Sequence, residues 1–199
     1  FGLVITSLTP NRIRVGSAAT TLQVAGTGFV SGAVVSFGGT ALPTTGGTGG
    51  LSATIGATLL ATAGNVNVTV ANPAPTVGAS APAVFAVQNP PAAAVSISPA
   101  SAAIGAADFT LTVNGSGFVS GATLQLGTTT GIPTTIVSAG QLTARITTAM
   151  LGTTATTLSV AVTNPAPVEP GGSSPIFFTV QSSTATLTQL SPNTTTINT

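Results

Sequence analysis

The sequence predicts an all-β protein built from two β-sandwiches in series, followed by a single further strand. The first observation is a repeat: residues 26–33 read Gly-Thr-Gly-Phe-Val-Ser-Gly-Ala, and residues 115–122 match them with one change. An offset of 89 residues marks a tandem array of units close to one sandwich domain in size, ~100 residues. The second observation is the alternation of apolar and polar residues in short segments that end at Gly or Pro, which is typical of strands.

The first repeat is predicted to open with an edge strand at residues 1–9, because strand-forming residues there precede Pro10. Residues 11–17 are predicted to form a turn. Residues 44–50 are rich in Gly and Thr and are expected to be flexible, while residues 57–63 could form one helical turn. The further strands of this repeat are predicted at residues 20–25, 33–37, 51–60, 65–71 and 84–88.

A glycine-rich corner precedes the aromatic residue that we expect in each core. Two glycines permit a sharp bend that residues with a Cβ would resist, and the following phenylalanine is then expected to point inward. The residues assigned to this turn and core element are Gly26, Gly28 and Phe29 in the first repeat and Gly115, Gly117 and Phe118 in the second.

The predicted domains cover residues 1–88 and 93–181, and a proline-rich linker joins them at residues 89–92. Proline restricts its own backbone and that of the preceding residue, so the linker is expected to be short and stiff. The second repeat follows the plan of the first, with Pro99 in the place of Pro10.

Residues 182–199 are predicted to hold an orphan strand, because residues 187–193 resemble residues 5–11. This strand either begins a third repeat or completes a sandwich in a neighbouring subunit, since an unpaired apolar strand can join chains by strand addition. The residues assigned to such assembly are Leu187, Leu190, Pro192, Ile5 and Leu8.

Both repeats share an opening Ile/Leu-x-Pro, a glycine that follows it, an alternating strand, the Gly-x-Gly-Phe corner and a late Asn-Pro step. In these features they resemble the IPT/TIG family of immunoglobulin-like domains. The resemblance implies a seven-stranded sandwich for each repeat. The double glycine usual after the first proline is reduced here to Gly16-Ser17 and Gly105-Ala106. Members of the family occur in bacterial surface proteins, in receptor ectodomains and beside DNA-binding regions, so the resemblance carries over no catalytic or binding residues.

Composition excludes several classes of function. Only 3% of the 199 residues are charged, against roughly 25% in an ordinary domain, and three arginines without lysine cannot form a nucleic-acid footprint. The chain has no Cys and no His, which leaves no disulfide or thiolate chemistry. No apolar run reaches ~20 residues, so no membrane span is expected.

The five charged residues offer no recognisable active site. Asp108 and Glu169 are the only carboxylates, and an acid–base pair needs two close together, so we expect no enzyme, cofactor or metal. Arg12 and Arg14 are expected to be solvated loop charges, or else a contact for a carboxylate or sugar. Arg145 is expected to face solvent, with pairing to a carboxylate at a subunit junction as the alternative.

The sequence therefore predicts a structural segment of an extracellular filament or surface fibre that assembles head-to-tail with copies of itself or with further repeats. A nearly uncharged surface has little repulsion to keep copies apart. The alternatives are a cell-surface adhesin or carbohydrate-binding module, and accessory domains of a larger secreted enzyme. Glycans attached to the chain are also possible, and the formal acceptor sites for them are Asn67, Asn114 and Asn193.

Overall fold

The computed structural model describes residues 2–75, 78–172 and 175–183. Within them the chain is all-β, as predicted, and forms immunoglobulin-like β-sandwiches with eighteen strands, one 3₁₀ turn and one short helix. The predicted orphan strand lies outside the described residues.

The first repeat contains two sheets. One has the strand order β1-β3-β7-β6, and the other has the order β2-β10-β8-β4-β5, with β9 also paired to β8. The strands are β1 (Val4–Thr9), β2 (Arg12–Arg14), β3 (Thr20–Thr27), β4 (Val34–Phe37), β5 (Thr40–Ala41), β6 (Thr44–Gly47), β7 (Gly50–Ile55), β8 (Gly64–Asn72), β9 (Gly78–Ala79) and β10 (Ala83–Gln88).

The second repeat has the order β11-β13-β16-β15-β14-β17-β18-β12. The long strand β15 joins its two layers, because its first part pairs with β14 and its second part with β16. The strands are β11 (Ala93–Ser98), β12 (Ser101–Ala103), β13 (Phe109–Ser116), β14 (Thr123–Leu126), β15 (Thr129–Ser138), β16 (Gln141–Ile146), β17 (Thr156–Thr163) and β18 (Ile176–Gln181).

Each repeat has its own hydrophobic core, and the two cores share no residue. In the first, the rings of Phe37 and Phe85 meet edge to face with centroids 5.4 Å apart. In the second repeat, the 89-residue offset places Leu126 at the position equivalent to Phe37. There the Phe109 ring stacks on the Phe178 ring, with centroids 5.8 Å apart. The second core thus keeps an aromatic pair but draws one ring from a different strand, which conserves packed volume.

The strand count differs from the seven per repeat that the family resemblance implies. The described residues hold ten strands in the first repeat and eight in the second. One cause is Pro10, at which the first strand breaks: β1 pairs with β3 in one sheet, whereas β2 runs parallel to β10 in the other. Proline cannot donate a ladder hydrogen bond, so a strand that changes sheets can do so there.

Three local predictions were wrong or incomplete. The predicted turn at residues 11–17 contains β2, whose Ile13 packs against the first core. The segment expected to be flexible, residues 44–50, forms the β6–β7 hairpin, in which Gly46 and Gly49 have φ of +114° and +94°. Such values favour glycine and suit a tight connection. The predicted strand at 51–60 ends at Ile55, and the 3₁₀ turn Ala57–Leu60 follows it.

Candidate functional site at the joint between the repeats

The main chain at Asn89 is hydrogen-bonded to the second repeat. The Asn89 N–H donates to the Pro167 carbonyl at 2.8 Å, and the Asn89 carbonyl accepts from the Glu169 N–H at 2.9 Å. Asn89 and Val168 therefore form a parallel β-bridge, and Asn89 is only 7% exposed. The segment that the sequence marks as a linker thus begins with a paired, buried residue.

Three side-chain amides add hydrogen bonds across the same joint. Gln88 Nε2 donates to the Val168 carbonyl at 3.0 Å, and Asn89 Nδ2 donates to the Pro165 carbonyl at 2.8 Å. From the other side, Asn164 Nδ2 donates to the Pro90 carbonyl at 2.8 Å. These amides satisfy carbonyls that the proline-rich segments cannot pair in a regular ladder.

An ion pair between Arg14 and Glu169 adds a further side-chain contact across the joint. Arg14 Nε lies 3.1 Å and 3.0 Å from the two Glu169 carboxylate oxygens, and Arg14 Nη2 also contacts Oε2. The Arg14 hydrogen bonds, together with its positive charge, hold the pKa of Glu169 below its ordinary value against partial desolvation, and the same pairing raises the pKa of Arg14. The Arg14 side chain is 57% exposed, but it is not an unpaired loop charge: it lies on β2 and contacts a carboxylate, the alternative considered from the sequence.

A buried asparagine secures the glycine-rich corner of each repeat. Asn72 Nδ2 donates to the Gly28 carbonyl at 2.9 Å, and its Oδ1 accepts from the Val30 N–H at 3.3 Å. Asn164 makes the equivalent bonds to Gly117 at 2.7 Å and Val119 at 3.4 Å. Because Asn164 also reaches Pro90, the second corner is bonded directly to the joint.

The structure gives each corner residue a specific environment. Phe29 and Phe118 lie in the two cores and are each 2% exposed. Gly28 and Gly117 have φ of +78° and +73°, where L side chains are strained. Gly26 and Gly115 have a different constraint: a Cβ at either position would collide with the phenylalanine ring of its own corner and with a carbonyl of the neighbouring strand.

The residues assigned to assembly are only partly within the described part of the chain. Ile5 and Leu8 belong to β1, which pairs with β3, and both side chains pack half-buried against the first core. Leu187, Leu190 and Pro192 lie outside the described residues, so their contacts stay a prediction.

The other charged residues are not gathered into a reactive site. Arg145 Nη2 lies 2.8 Å from Asp108 Oδ2 within the second repeat, not at a junction. The Thr148 N–H donates to Asp108 Oδ1 at 3.0 Å, and this bond together with the one from Arg145 lowers the pKa of Asp108. Arg12 is exposed. Over the described ranges, no group of three His, Cys, Asp or Glu side chains could hold a metal ion.

A groove of about 720 Å³ opens at the far end of the first repeat. It is lined by glycines and apolar residues together with Thr48 and Asn72, and none of its lining residues is ionisable. In the part of the chain that the structure describes, Phe177 is the exposed aromatic side chain, at 60% exposure. The same part contains no helix of the length and apolarity needed to cross a membrane.

No family model and no curated protein matches this chain. Solved structures that it resembles include the Yersinia pseudotuberculosis adhesin InvE, with 20% identity over 89% of this chain and 58% of InvE and a TM-score of 0.47. The extracellular region of plexin A4 is 17% identical over 82% of this chain and 15% of plexin A4, with a TM-score of 0.35. Murine CEACAM1b is 8% identical over 91% of this chain and 98% of CEACAM1b, with a TM-score of 0.40. The chain thus spans only part of the length of InvE and plexin A4. At these identities and scores the likeness says nothing about function, and the fold rests on the strand pairing described above.

Sequence reasoning missed the polar residues of the joint: Gln88, Asn89 and Asn164. The signal was available in the Asn-Pro step, which occurs at Asn72, Asn89 and Asn164. From the sequence alone this step predicts a strand end at Asn72 and Asn164 and a linker at Asn89. In the structure all three asparagines are buried and donate to carbonyls.

Proposed function

We propose that this chain is a structural segment of an extracellular fibre or surface stalk, in which IPT/TIG-like sandwiches follow one another at fixed joints. The joint at Asn89 carries the proposal. Its backbone bridge, three amide hydrogen bonds and ion pair hold one sandwich against the next. A stalk needs such joints because it must keep its repeats in line, whereas a freely jointed pair of domains needs none.

The use of charge supports a structural role over a catalytic one. Four of the five charged side chains of the sequence form two ion pairs that connect parts of the fold. Arg12 is the remaining charge, and an arginine without an acid or nucleophile beside it performs no acid–base step. We accordingly propose no reaction within these residues.

Assembly with further copies or repeats is the finer part of the proposal. An incoming strand that resembles residues 5–11 cannot enter the described first repeat at its matching place, since β1 already occupies it. It can instead add to β1 itself, which is the outermost strand of its sheet and offers unpaired backbone groups. The alternative is that residues 187–193 begin a third repeat of a longer chain.

Electron microscopy of native material tests the fibre, and we expect filaments with a repeat near the length of two domains. Deleting residues 184–199 tests strand addition: the deleted chain should lose the assembly that sedimentation velocity detects in the full chain. Replacing Leu187 and Leu190 by Ser should have the same effect, whereas replacing Thr186 and Thr188 by Ser is the matched control. Persistent assembly of the deleted chain would exclude strand addition and leave the fibre proposal standing.

A second candidate is an adhesin or carbohydrate-binding module, which Phe177 favours. An exposed aromatic ring has an apolar face that can stack on a sugar. Selective binding on a glycan array that Phe177→Ala abolishes would support this function. Val84→Ala is the matched control and should leave glycan binding unchanged, because Val84 is similarly exposed in the first repeat but has no ring.

A further inference from the structure

We propose that the joint is a rigid and specific interface between these two repeats, in which Arg14 and Glu169 fix the orientation of one sandwich relative to the other. The proposal concerns the joint alone and does not require that the chain forms a fibre. It differs from a stiff linker because it assigns orientation to side chains that are 155 positions apart in the sequence.

Two neighbouring strands of the first repeat contact the second repeat. β10 supplies Gln88 and leads directly to Asn89, while Arg14 lies opposite Gln88 on the parallel strand β2. Adjacent strands are ~4.8 Å apart, so the Arg14 contact is displaced sideways from the covalent connection. The bridge and the three amide hydrogen bonds lie along the connection itself, whereas the Arg14 contact lies to one side, where it opposes rotation about the connection.

Both contacts end on the same short segment of the second repeat. Pro165 and Val168 accept the amide hydrogen bonds, and Glu169 provides both a backbone N–H for Asn89 and the carboxylate for Arg14. The carboxylate is therefore placed by its own backbone bond. An ion pair whose partner is fixed in this way loses less side-chain entropy than a free surface pair, and its bidentate geometry adds directionality.

The polar residues that meet at the joint are not found at the matching positions of the other repeat. In the first repeat Arg14 lies opposite Gln88, whereas in the second repeat the matching pair is Ala103 and Gln181. The residue after Gln88 is Asn89, whereas the residue after Gln181 is Ser182. The residue five positions after Asn164 is Glu169, whereas the residue five positions after the equivalent Asn72 is Val77. Among the described residues, arginine, asparagine and glutamate come together in this way at this joint, so the contacts depend on these two repeats in this order.

A charge exchange in the complete chain tests the proposal. The protein has no Cys, so Thr54→Cys and Thr135→Cys place one spin label on an exposed strand position of each repeat, and pulsed electron resonance gives the distance distribution between them. We expect one narrow peak. Arg14→Glu or Glu169→Arg should increase the population outside that peak roughly two- to five-fold, the range that an exposed ion pair supports, and the double exchange should restore the narrow peak.

The matched control is Arg145→Glu, which breaks the other ion pair but lies within the second repeat. It should leave the distribution unchanged. The proposal is wrong if the single exchanges leave the peak narrow, if the double exchange stays as broad as either single exchange, or if Arg145→Glu broadens it equally. Restoration in the double variant also shows that neither single variant acted by unfolding a repeat.

Discussion

At the residue scale, asparagine accounts for three of the four buried polar side chains among the described residues. Among the described residues the buried polar side chains are Asn72, Ser80, Asn89 and Asn164, and no buried side-chain nitrogen or oxygen there lacks a partner. An amide offers donors and an acceptor on one short, uncharged side chain. An aspartate in the same place would bring a buried charge, which costs far more than a neutral hydrogen-bonding group.

The two equivalent asparagines should differ in what their removal costs. Asn164 bonds to Gly117, Val119 and Pro90, whereas Asn72 bonds to Gly28 and Val30. With about 0.5–1.5 kcal/mol for each hydrogen bond lost, Asn164→Ala should cost about 1.5–4.5 kcal/mol and Asn72→Ala about 1–3 kcal/mol. Urea denaturation measures both. An equal or smaller cost for Asn164→Ala would show that the Pro90 contact adds no stability.

Gly26 should tolerate no side chain, although its φ lies outside the left-handed region. A Cβ there would collide with the Val4 carbonyl and the Phe29 ring. Since Phe29 is buried and cannot move aside without disturbing the core, Gly26→Ala should destabilise the protein by about 1–3 kcal/mol. Gly47→Ala is the control, because nothing lies within 4 Å of its Cβ position, and it should stay within about 0.5 kcal/mol. Thermal unfolding of both variants distinguishes the collision from a general loss of backbone freedom.

Asp108 should make stability depend on pH in the acid range. The Thr148 N–H and Arg145 both favour the ionised carboxylate, so the folded pKa is lower than the unfolded one. The stabilisation is therefore present above the unfolded value of ~3.9 and is lost as pH falls through the lower folded value. Asp108→Asn should be less stable than the parent at about pH 6, and the difference should shrink towards about pH 2.5. A difference that is constant across this range would contradict the assignment.

At the scale of elements, the sequence predicts those strands in which buried apolar residues alternate with polar residues over several positions. Leu22 and Val24 in β3 and Val68 in β8 alternate with polar residues, and each is buried. The short strands β2 and β9 have three and two residues, too few for a period of two. β6 consists of two threonines and two glycines, and the glycines, which are depleted in strands, make the segment resemble a loop. Its place in the sheet comes from the hairpin geometry of its glycines.

The joint could not be predicted because its partners are chosen by tertiary structure. Nothing near Arg14 in the sequence indicates Glu169, since β2 must first cross to the sheet of β10 for the two to meet. The loop after Asn72 also gives no guide: in the first repeat it leads to β9, which pairs with β8. In the second repeat the loop after Asn164 pairs with Asn89 instead. The same Asn-Pro-Ala-Pro sequence thus precedes two different pairings.

At the scale of the whole molecule, we expect stability and orientation to have separate sources. The cores contain the large apolar side chains and share no residue, whereas the joint between them consists of hydrogen bonds and one ion pair. Apolar burial is the main favourable contribution to folding, whereas each hydrogen bond adds only about 0.5–1.5 kcal/mol net and an exposed ion pair about 0–1 kcal/mol. Each repeat should therefore fold on its own core, and the joint should contribute less to stability than either core.

Equivalent core phenylalanines test this separation. Phe85 and Phe178 occupy matching positions, and both are fully buried. Replacing either by Ala should cost about 3–5 kcal/mol, which lowers the melting temperature of a domain of ~90 residues by more than about 10 °C. Calorimetry should resolve two transitions: Phe85→Ala should shift one, Phe178→Ala the other, and each variant is the control for its partner. If both transitions move together in either variant, the polar joint couples the two repeats into one cooperative unit.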